Sequence, residues 1–127
     1  MIVVDASAAL SALLNDGPAR RILATEQLHA PHLIDCEVAN GLRRRVAARQ
    51  ISAEDGRAAL SVLQRLGMTR YATYLMLDRV WDLRDNLSAY DASYISLAEE
   101  LSCALLTADA RLSRAPAIRC AVTVVPR

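Results

Sequence analysis

The sequence predicts a three-layer α/β domain with a mainly parallel central sheet of four to five strands. Short apolar runs of strand length alternate with longer patterns of helical periodicity, as in proteins built from parallel βα units. The run CALLT at 103–107 is apolar nearly throughout, which is typical of a strand buried on both faces. With 127 residues and 54 % hydrophobic content, the chain can bury one core, and we expect residues 1–127 to form a single domain.

The first part of the chain predicts two strands and two helices. Ile2–Val4 is β-branched and predicts the first strand, and the small residues of Ala6–Leu14 predict the helix that follows. After a turn at Asn15–Pro18, Ala19–Thr25 predicts a second helix. Gln27–Ala30 predicts the second strand, which Pro31 ends.

A helical hairpin is predicted next, from Leu33–Arg49 and Ser52–Leu66. Ser52 precedes Asp55 by three residues, a spacing typical of a capping box that opens a helix. Each helix carries an apolar stripe at helical spacing. The stripes are Ile34, Val38, Leu42 and Val46 on the first helix, and Ala59, Val62, Leu63 and Leu66 on the second.

The second part of the chain continues the alternation. Met68–Ala72 predicts a third strand, and Tyr74–Asp85 predicts a helix that buries Leu75, Leu77 or Val80, and Trp81. Ser88 and Asp91 have capping-box spacing and open a helix that runs to Leu101, with Asp91, Ile95 and Ala98 on its inner face. The strand at 103–107 comes next. Ala110–Arg114 predicts a brief helix, and Ala121–Val125 predicts the last strand.

Four acidic residues are expected at one edge of this sheet. Asp5 follows the first strand, and Asp109 follows the strand at 103–107. Asp91 lies in the first turn of a helix, and Glu37 lies beside an apolar helix stripe. Each acid alone also fits a structural role, as a helix cap or a solvated side chain. Because the carboxyl ends of parallel strands lie at one edge, where α/β proteins bind ligands, convergence of the four acids indicates a site.

Converging carboxylates would require protons or a cation. Two carboxylates about 5 Å apart repel by roughly 3 kcal/mol at an effective dielectric constant near 20. Oxygen ligands without adjacent histidine or cysteine favour Mg²⁺ or Mn²⁺. Such sites activate water for phosphodiester hydrolysis, with one or two ions.

Three stretches resemble the PIN-domain ribonucleases, and most closely the VapC-type toxins of bacterial toxin–antitoxin pairs. They are IVVDASA at the start, APHLIDCEVANGLRR around Glu37, and NLSAYDASYISLAEELSCALLTADARL, the most specific of the three. The resemblance implies a PIN-like domain and a Mg²⁺-dependent endoribonuclease, with Mn²⁺ as a substitute. It assigns the catalytic metal ligands as Asp5, Glu37, Asp91 and Asp109, with Ser7 and Thr107 assisting through their hydroxyls.

The resemblance also implies partners, namely an RNA substrate and a cognate antitoxin protein. We further expect a second copy of the chain in a homodimer. An amphipathic antitoxin segment would lie between the helices Leu33–Arg49 and Ser52–Leu66 and insert an arginine among the acids. The helices Tyr74–Asp85 and Ser88–Leu101 are candidates for the dimer face, although the same stripes also suit packing on the sheet.

Two alternatives remain open from the sequence. One is a PIN-like module that binds metal or a partner without useful turnover. The other is a metal-dependent phosphatase, which is disfavoured because Asp5 is followed by Ala6 and Ser7 rather than by a second nucleophilic aspartate two positions on. The chain contains no lysine, so a P-loop is excluded.

The remaining polar residues have less specific patterns. All fifteen basic residues are arginine, and the run Arg43, Arg44, Arg45 and Arg49 is either a solvated helix face or a contact for RNA phosphates. His29 and His32 have no metal-site pattern and are expected in a loop. The aromatic residues suit packing better than RNA stacking; they are Tyr71, Tyr74, Trp81, Tyr90 and Tyr94.

The cysteines and the chain start predict the compartment. Cys36, Cys103 and Cys120 are odd in number and widely spaced, so we expect reduced, mostly buried thiols. The start MIVVDASAAL has no basic leader, and no apolar run has the length of a membrane span. A cytoplasmic protein is therefore expected.

Overall fold

Five short strands form one sheet in which every neighbouring pair is parallel. The computed structural model describes residues 1–127. The strand order is β3-β2-β1-β4-β5, so β1 is central and pairs with both β2 and β4. The strands are β1 (Ile2–Val4), β2 (Leu28–Pro31), β3 (Thr69–Tyr71), β4 (Ala104–Thr107) and β5 (Val122–Val124). The predicted fold class is confirmed.

Six α-helices connect the strands, and five of them begin within one residue of a predicted start. Ser52 and Ser88 cap their helices as predicted, because each hydroxyl accepts a hydrogen bond from the backbone N–H three residues on, that of Asp55 or Asp91. The helices are α1 (Ala6–Leu14), α2 (Pro18–Thr25), α3 (Leu33–Ala47), α4 (Ala53–Arg65), α5 (Leu77–Asp82) and α6 (Ala89–Glu100). None of them combines the length and apolar character needed to cross a bilayer.

The order of the strands determines where a ligand can bind. The chain steps outward from β1 to β2 and β3, then returns through α5 and α6 to β4 on the other side of β1. Right-handed crossovers place helices of the outward and return paths on opposite faces of the sheet. The strand order therefore reverses between β1 and β4, and the crevice at their carboxyl ends is the expected ligand site.

Helix α6 is the most enclosed element of the fold. Seven consecutive residues from Ala92 to Ala98 are buried, and the helix packs against β1, β2, β4 and α5. The predicted inward positions Ile95 and Ala98 are fully buried. Because α6 is covered on all sides, Asp91 in its first turn is held in a fixed place relative to the central strands.

The predicted helix over Tyr74–Asp85 is wrong in its start and in part of its buried face. Thr73–Met76 forms a 3-10 turn that precedes α5, and Leu75 and Trp81 are 68 % and 66 % exposed. A 3-10 turn advances about three residues per turn rather than 3.6, so it shifts which side chains face inward. The buried side chains are Met76, Val80 and Leu83.

Other side chains are also more exposed than predicted. Val62, expected in the apolar stripe of α4, is 41 % exposed, whereas its neighbour Leu63 is buried. Cys36 lies on the solvent side of α3, so a mostly buried set of cysteines is wrong for this residue. Tyr74 and Tyr90 are likewise exposed rather than packed. Local periodicity does not reveal which edge of an apolar stripe lacks a neighbour.

The contrast between Leu63 and Val62 gives a stability test. Leu63→Ala is expected to lower the free energy of unfolding by about 2–5 kcal/mol, because it leaves a cavity in the core. Val62→Ala, one position away on the same helix, should change it by less than about 0.5 kcal/mol. Urea denaturation of both variants measures the difference, and equal losses would contradict the burial described here.

Candidate active site

Asp5 is the most buried of the four predicted acids, with 6 % of its surface exposed. It lies between β1 and α1 and caps α1, because its Oδ1 accepts a hydrogen bond of 2.9 Å from the backbone N–H of Ala8. Its own backbone N–H donates to the Leu106 carbonyl and so ties it to β4. Burial raises the pKa of this carboxyl, and the charge of Asp91 raises it further.

Two hydroxyl groups bind the oxygens of Asp5. Ser7 Oγ donates to Oδ1 over 2.7 Å, and Thr107 Oγ1 donates to Oδ2 over 2.5 Å. The hydroxyls in turn accept from the backbone N–H groups of Ala108 and Asp109, over 2.8 and 3.0 Å. Because each hydroxyl has a single proton, these acceptor contacts leave that proton for Asp5. Both hydroxyl bonds oppose the effect of burial on the pKa of Asp5.

Glu37 is held by Tyr94, a residue of a different helix. The phenol Oη of Tyr94 donates to Oε1 over 2.7 Å and links α3 to α6. Burial raises the pKa of Glu37, and the charges of Asp91 and Asp5 raise it as well. Burial and the adjacent Glu37 also raise the pKa of Tyr94, so the phenol remains a proton donor.

Asp91 is close enough to the other three acids for charge effects to connect it with each of them. It is half-buried in the first turn of α6, and its backbone N–H is bonded to the Ser88 hydroxyl. Burial raises its pKa most, and the charge of Asp109 adds to the shift, whereas Arg111 opposes it. The helix amide ends favour a negative charge there, so the raised pKa reflects burial and neighbouring acids.

Asp109 differs from the other three because an arginine neutralises it. It caps the 3-10 turn at Ala110–Arg114 and accepts from the backbone N–H of Arg111. The Arg111 guanidinium also contacts both carboxylate oxygens, with 2.6 Å between Nη2 and Oδ2. The bonds from Arg111 lower the pKa of Asp109.

The structure brings the predicted acids to one rim of the sheet. Asp91 influences the pKa of both Asp5 and Glu37, and Asp109 influences that of Asp91. No three acidic, histidine or cysteine side chains are close enough to enclose a metal ion as they stand. The donor set nevertheless suits a hard divalent ion, because it consists of carboxylate oxygens whose charges repel one another.

Two contacts at this site were not predicted from the sequence. Tyr94 was interpreted as a packing residue, and Arg111 was not singled out. Each of the two residues lies close in sequence to a predicted acid. Tyr94 follows Asp91 by three residues on the same helix, and Arg111 follows Asp109 by two. Neither spacing identifies the partner, which for Tyr94 is on another helix.

The other polar candidates are separated from one another. His29 lies in β2 rather than in a loop and pairs with Tyr71, with 2.8 Å between Nδ1 and Oη, while His32 is exposed before α3. Arg43 bonds Asn40 and borders the groove between α3 and α4. Of the other arginines in the run, Arg44 and Arg45 line a cleft beside Glu37, and Arg49 is exposed after α3 with a positive φ of 59°.

Comparisons with known proteins agree with this architecture. The sequence profile of the PIN domain family matches residues 2–118. Ribonuclease VapC9 of Mycobacterium tuberculosis is 58 % identical over 127 residues, which is the full length of both chains. Among solved structures, M. tuberculosis VapC20, a toxin that cleaves the sarcin-ricin loop, has a TM-score of 0.69 at 17 % identity, over 90 % of this chain and 94 % of its own.

VapBC2 from Rickettsia felis, solved with a DNA fragment from its promoter, has the same TM-score of 0.69 at 14 % identity. The alignment covers 98 % of this chain and 99 % of that one. At such low identity these two structures support the fold alone. The family profile and the full-length relative match the amino-acid sequence itself and therefore show the family. The chain therefore belongs to the PIN-domain family and, within it, to the VapC ribonucleases.

Proposed function

We propose that this chain is a metal-dependent endoribonuclease that acts as the toxin of a toxin–antitoxin pair. The observation that carries the proposal is the cluster of Asp5, Glu37 and Asp91, held at the crevice between β1 and β4 in a chain of the VapC family. The ribonuclease name of a relative that is 58 % identical over its full length supports the activity.

The metal is proposed to be Mg²⁺, with Mn²⁺ as a substitute. Asp5, Glu37 and Asp91 would hold it, and Asp109 would join them if Arg111 released its carboxylate. When bound, the ion supplies charge neutralisation and a water activated for attack on phosphorus. All-oxygen ligands favour these hard ions over zinc.

The remaining residues of the site position the acids. Ser7 and Thr107 fix both oxygens of Asp5 and anchor them to the end of β4. Tyr94 fixes one oxygen of Glu37 and leaves the other free. Because the raised pKa of Tyr94 keeps its proton in place, the phenol orients Glu37 and does not accept protons from substrate.

The antitoxin is proposed to bind the groove between α3 and α4. This groove has a volume of about 450 Å³, and Leu42, Val46 and Leu60 supply much of its apolar lining. Arg43 and Arg57 border it. An amphipathic segment with apolar anchors and flanking acids would complement this surface. The structure of VapBC2 from Rickettsia felis, a fold neighbour of this chain, supports an antitoxin protein as the partner.

A homodimer is proposed through the surface of α5 and the turn before it. Large apolar side chains are exposed there, including Tyr74 at 73 % and Leu77 at 54 %. Trp81 is also exposed, with the Arg84 guanidinium 4.8 Å from its ring centre. A run of exposed apolar side chains of this kind typically marks a protein interface.

The chain is further proposed to act as one domain in the cytoplasm. One continuous core extends from Ile2 to Val125, which supports a single domain over 1–127. The cytoplasm is where a bacterial RNA substrate and a co-expressed antitoxin would both meet the protein.

Asp91→Asn tests the function most simply. We expect cleavage of RNA in Mg²⁺ to fall at least about a hundredfold, because a neutral amide is a poor ligand for the ion that stabilises the transition state. Asp85 is exposed and has no known partner, so its substitution removes the same charge without breaking a contact. Asp85→Asn is therefore the matched control and should retain activity. Full activity of Asp91→Asn, or cleavage that survives chelation, would contradict a metal-dependent nuclease, whereas absence of RNA cleavage by the unsubstituted protein in Mg²⁺ would favour a binding module.

The ends of the product RNA test the mechanism. Attack by water on phosphorus with departure of the 3′ oxygen leaves a 5′-phosphate and a 3′-hydroxyl. The alternative, attack by the 2′-hydroxyl of the RNA, leaves a 2′,3′-cyclic phosphate and commonly uses paired histidines, whereas His29 is bonded to Tyr71. End-specific ligation and sequencing of the fragments distinguish the two, and cyclic phosphates would refute hydrolysis by metal-activated water.

A further inference from the structure

A basic cleft opens directly beside the acidic cluster. It has a volume of about 510 Å³ and lies between α1, α3 and the turn that follows α3. Three arginines line it, Arg44, Arg45 and Arg127, and this set defines the basic cleft below. Ser7 and Glu37 line the same space, so the basic cleft is continuous with the site of the carboxylates.

Local contacts hold Arg45 and the segment that carries Arg127 close to the site. Helices α1 and α3 approach closely at Gly41, where a Cβ atom would lie 2.5 Å from Leu10 Cδ1. The Gly41 carbonyl accepts a 3.0 Å hydrogen bond from Arg45 Nη1, which holds that guanidinium against α3. On the opposite wall, Ser11 Oγ donates to the Pro126 carbonyl over 2.7 Å and fixes the segment that carries Arg127.

None of the three guanidinium groups forms an ion pair with a carboxylate, and the charge of Arg127 acts on Asp109 only at longer range, where it lowers the pKa of that acid. The side-chain ion pairs of this chain use other arginines, Arg70 with Asp35, Arg79 with Glu99, and Arg111 with Asp109. Arg44 and Arg127 are exposed, and Arg45 is partly exposed with one donor in use. Guanidinium groups without an ion-pair partner, grouped on a concave surface, can donate hydrogen bonds to phosphate oxygens. One guanidinium can bind two oxygens of the same phosphate.

The remaining lining suits a nucleotide chain better than a free ion. Asn15 and Gln50 supply amide groups, while Leu10, Leu14 and Ile51 supply aliphatic surface. A ribose–phosphate strand offers charge to the arginines, hydroxyls to the amides, and sugar and base faces to the aliphatic side chains. An acidic peptide carries its charges only on side chains, whereas an RNA strand places a phosphate at every step of its backbone, which suits several guanidinium groups along one cleft.

We propose that Arg44, Arg45 and Arg127 bind backbone phosphates of the RNA strand that flank the scissile bond, so that the strand runs along the basic cleft into the carboxylate site. This inference rests on the proposed ribonuclease function. Within the arginine run it assigns RNA contacts to Arg44 and Arg45 only, because Arg43 and Arg49 lie outside the basic cleft. It adds Arg127 from the far end of the chain.

The test measures binding of a fluorescent single-stranded oligoribonucleotide by anisotropy in Mg²⁺, with Asp91→Asn as the background so that RNA stays intact. Arg44→Gln/Arg45→Gln is compared with Arg21→Gln/Arg65→Gln, which removes the same charge from exposed positions on α2 and α4. Each lost phosphate contact lowers the salt slope by about 0.7 for single strands. Arg44→Gln/Arg45→Gln should therefore lower the salt slope by about 1.4. When salt is raised from about 50 to about 200 mM, the RNA affinity of this variant should fall about sevenfold less than the RNA affinity of the control variant.

Arg127→Gln is expected to lower the slope by about half as much. Equal slopes for the two double variants would overturn the inference, as would competition by an oligoglutamate as effective as that by unlabelled RNA. Cleavage of the same RNA by the unsubstituted protein is assayed in parallel. Cleavage with equal slopes would refute only the basic cleft, whereas absence of both cleavage and RNA binding would refute the proposed function as well.

Discussion

Burial of several carboxylates at one rim of the sheet is the constraint on which the arrangement of this site depends. Asp5, Glu37 and Asp91 each have a raised pKa, mainly from burial and partly from neighbouring acids. A pair of such charges about 5 Å apart costs roughly 3 kcal/mol at an effective dielectric constant near 20, a large part of the stability of a small domain. The fold offsets this cost with donors placed on the acids, such as the Thr107 hydroxyl and the Tyr94 phenol.

The same constraint explains how the acids and the arginines are distributed around the site. The acids come from the ends of β1 and β4 and from two helices, so no single element bears all of the repulsion. Arg111 neutralises Asp109, whose pKa the charge of Arg127 also lowers, and Arg44 and Arg45 line the basic cleft beside Glu37. The anionic centre is thus bordered by positive charge, which favours a phosphate chain drawn across it.

The sequence predicted the features that are encoded locally. The first strand and α1 have the predicted bounds, and the Ser88 cap places Asp91 as expected. What was missed depends on contacts between distant segments. The bond from Tyr94 to Glu37 joins residues 57 positions apart, and the exposure of Trp81 follows from a 3-10 turn that shifts the buried face. Side-chain periodicity contains neither kind of information.

The most direct test of the central claim is the free energy of unfolding in EDTA and in Mg²⁺, measured at pH 5 and pH 8. An acid with a raised folded pKa binds more protons when folded, so stability without metal falls as pH rises above the unfolded value near 4. The predicted result is lower stability at pH 8 than at pH 5 in EDTA, with a larger gain from Mg²⁺ at pH 8. Asp91→Asn should reduce both effects. A stability that Mg²⁺ leaves unchanged at both pH values would contradict a metal site built from these carboxylates.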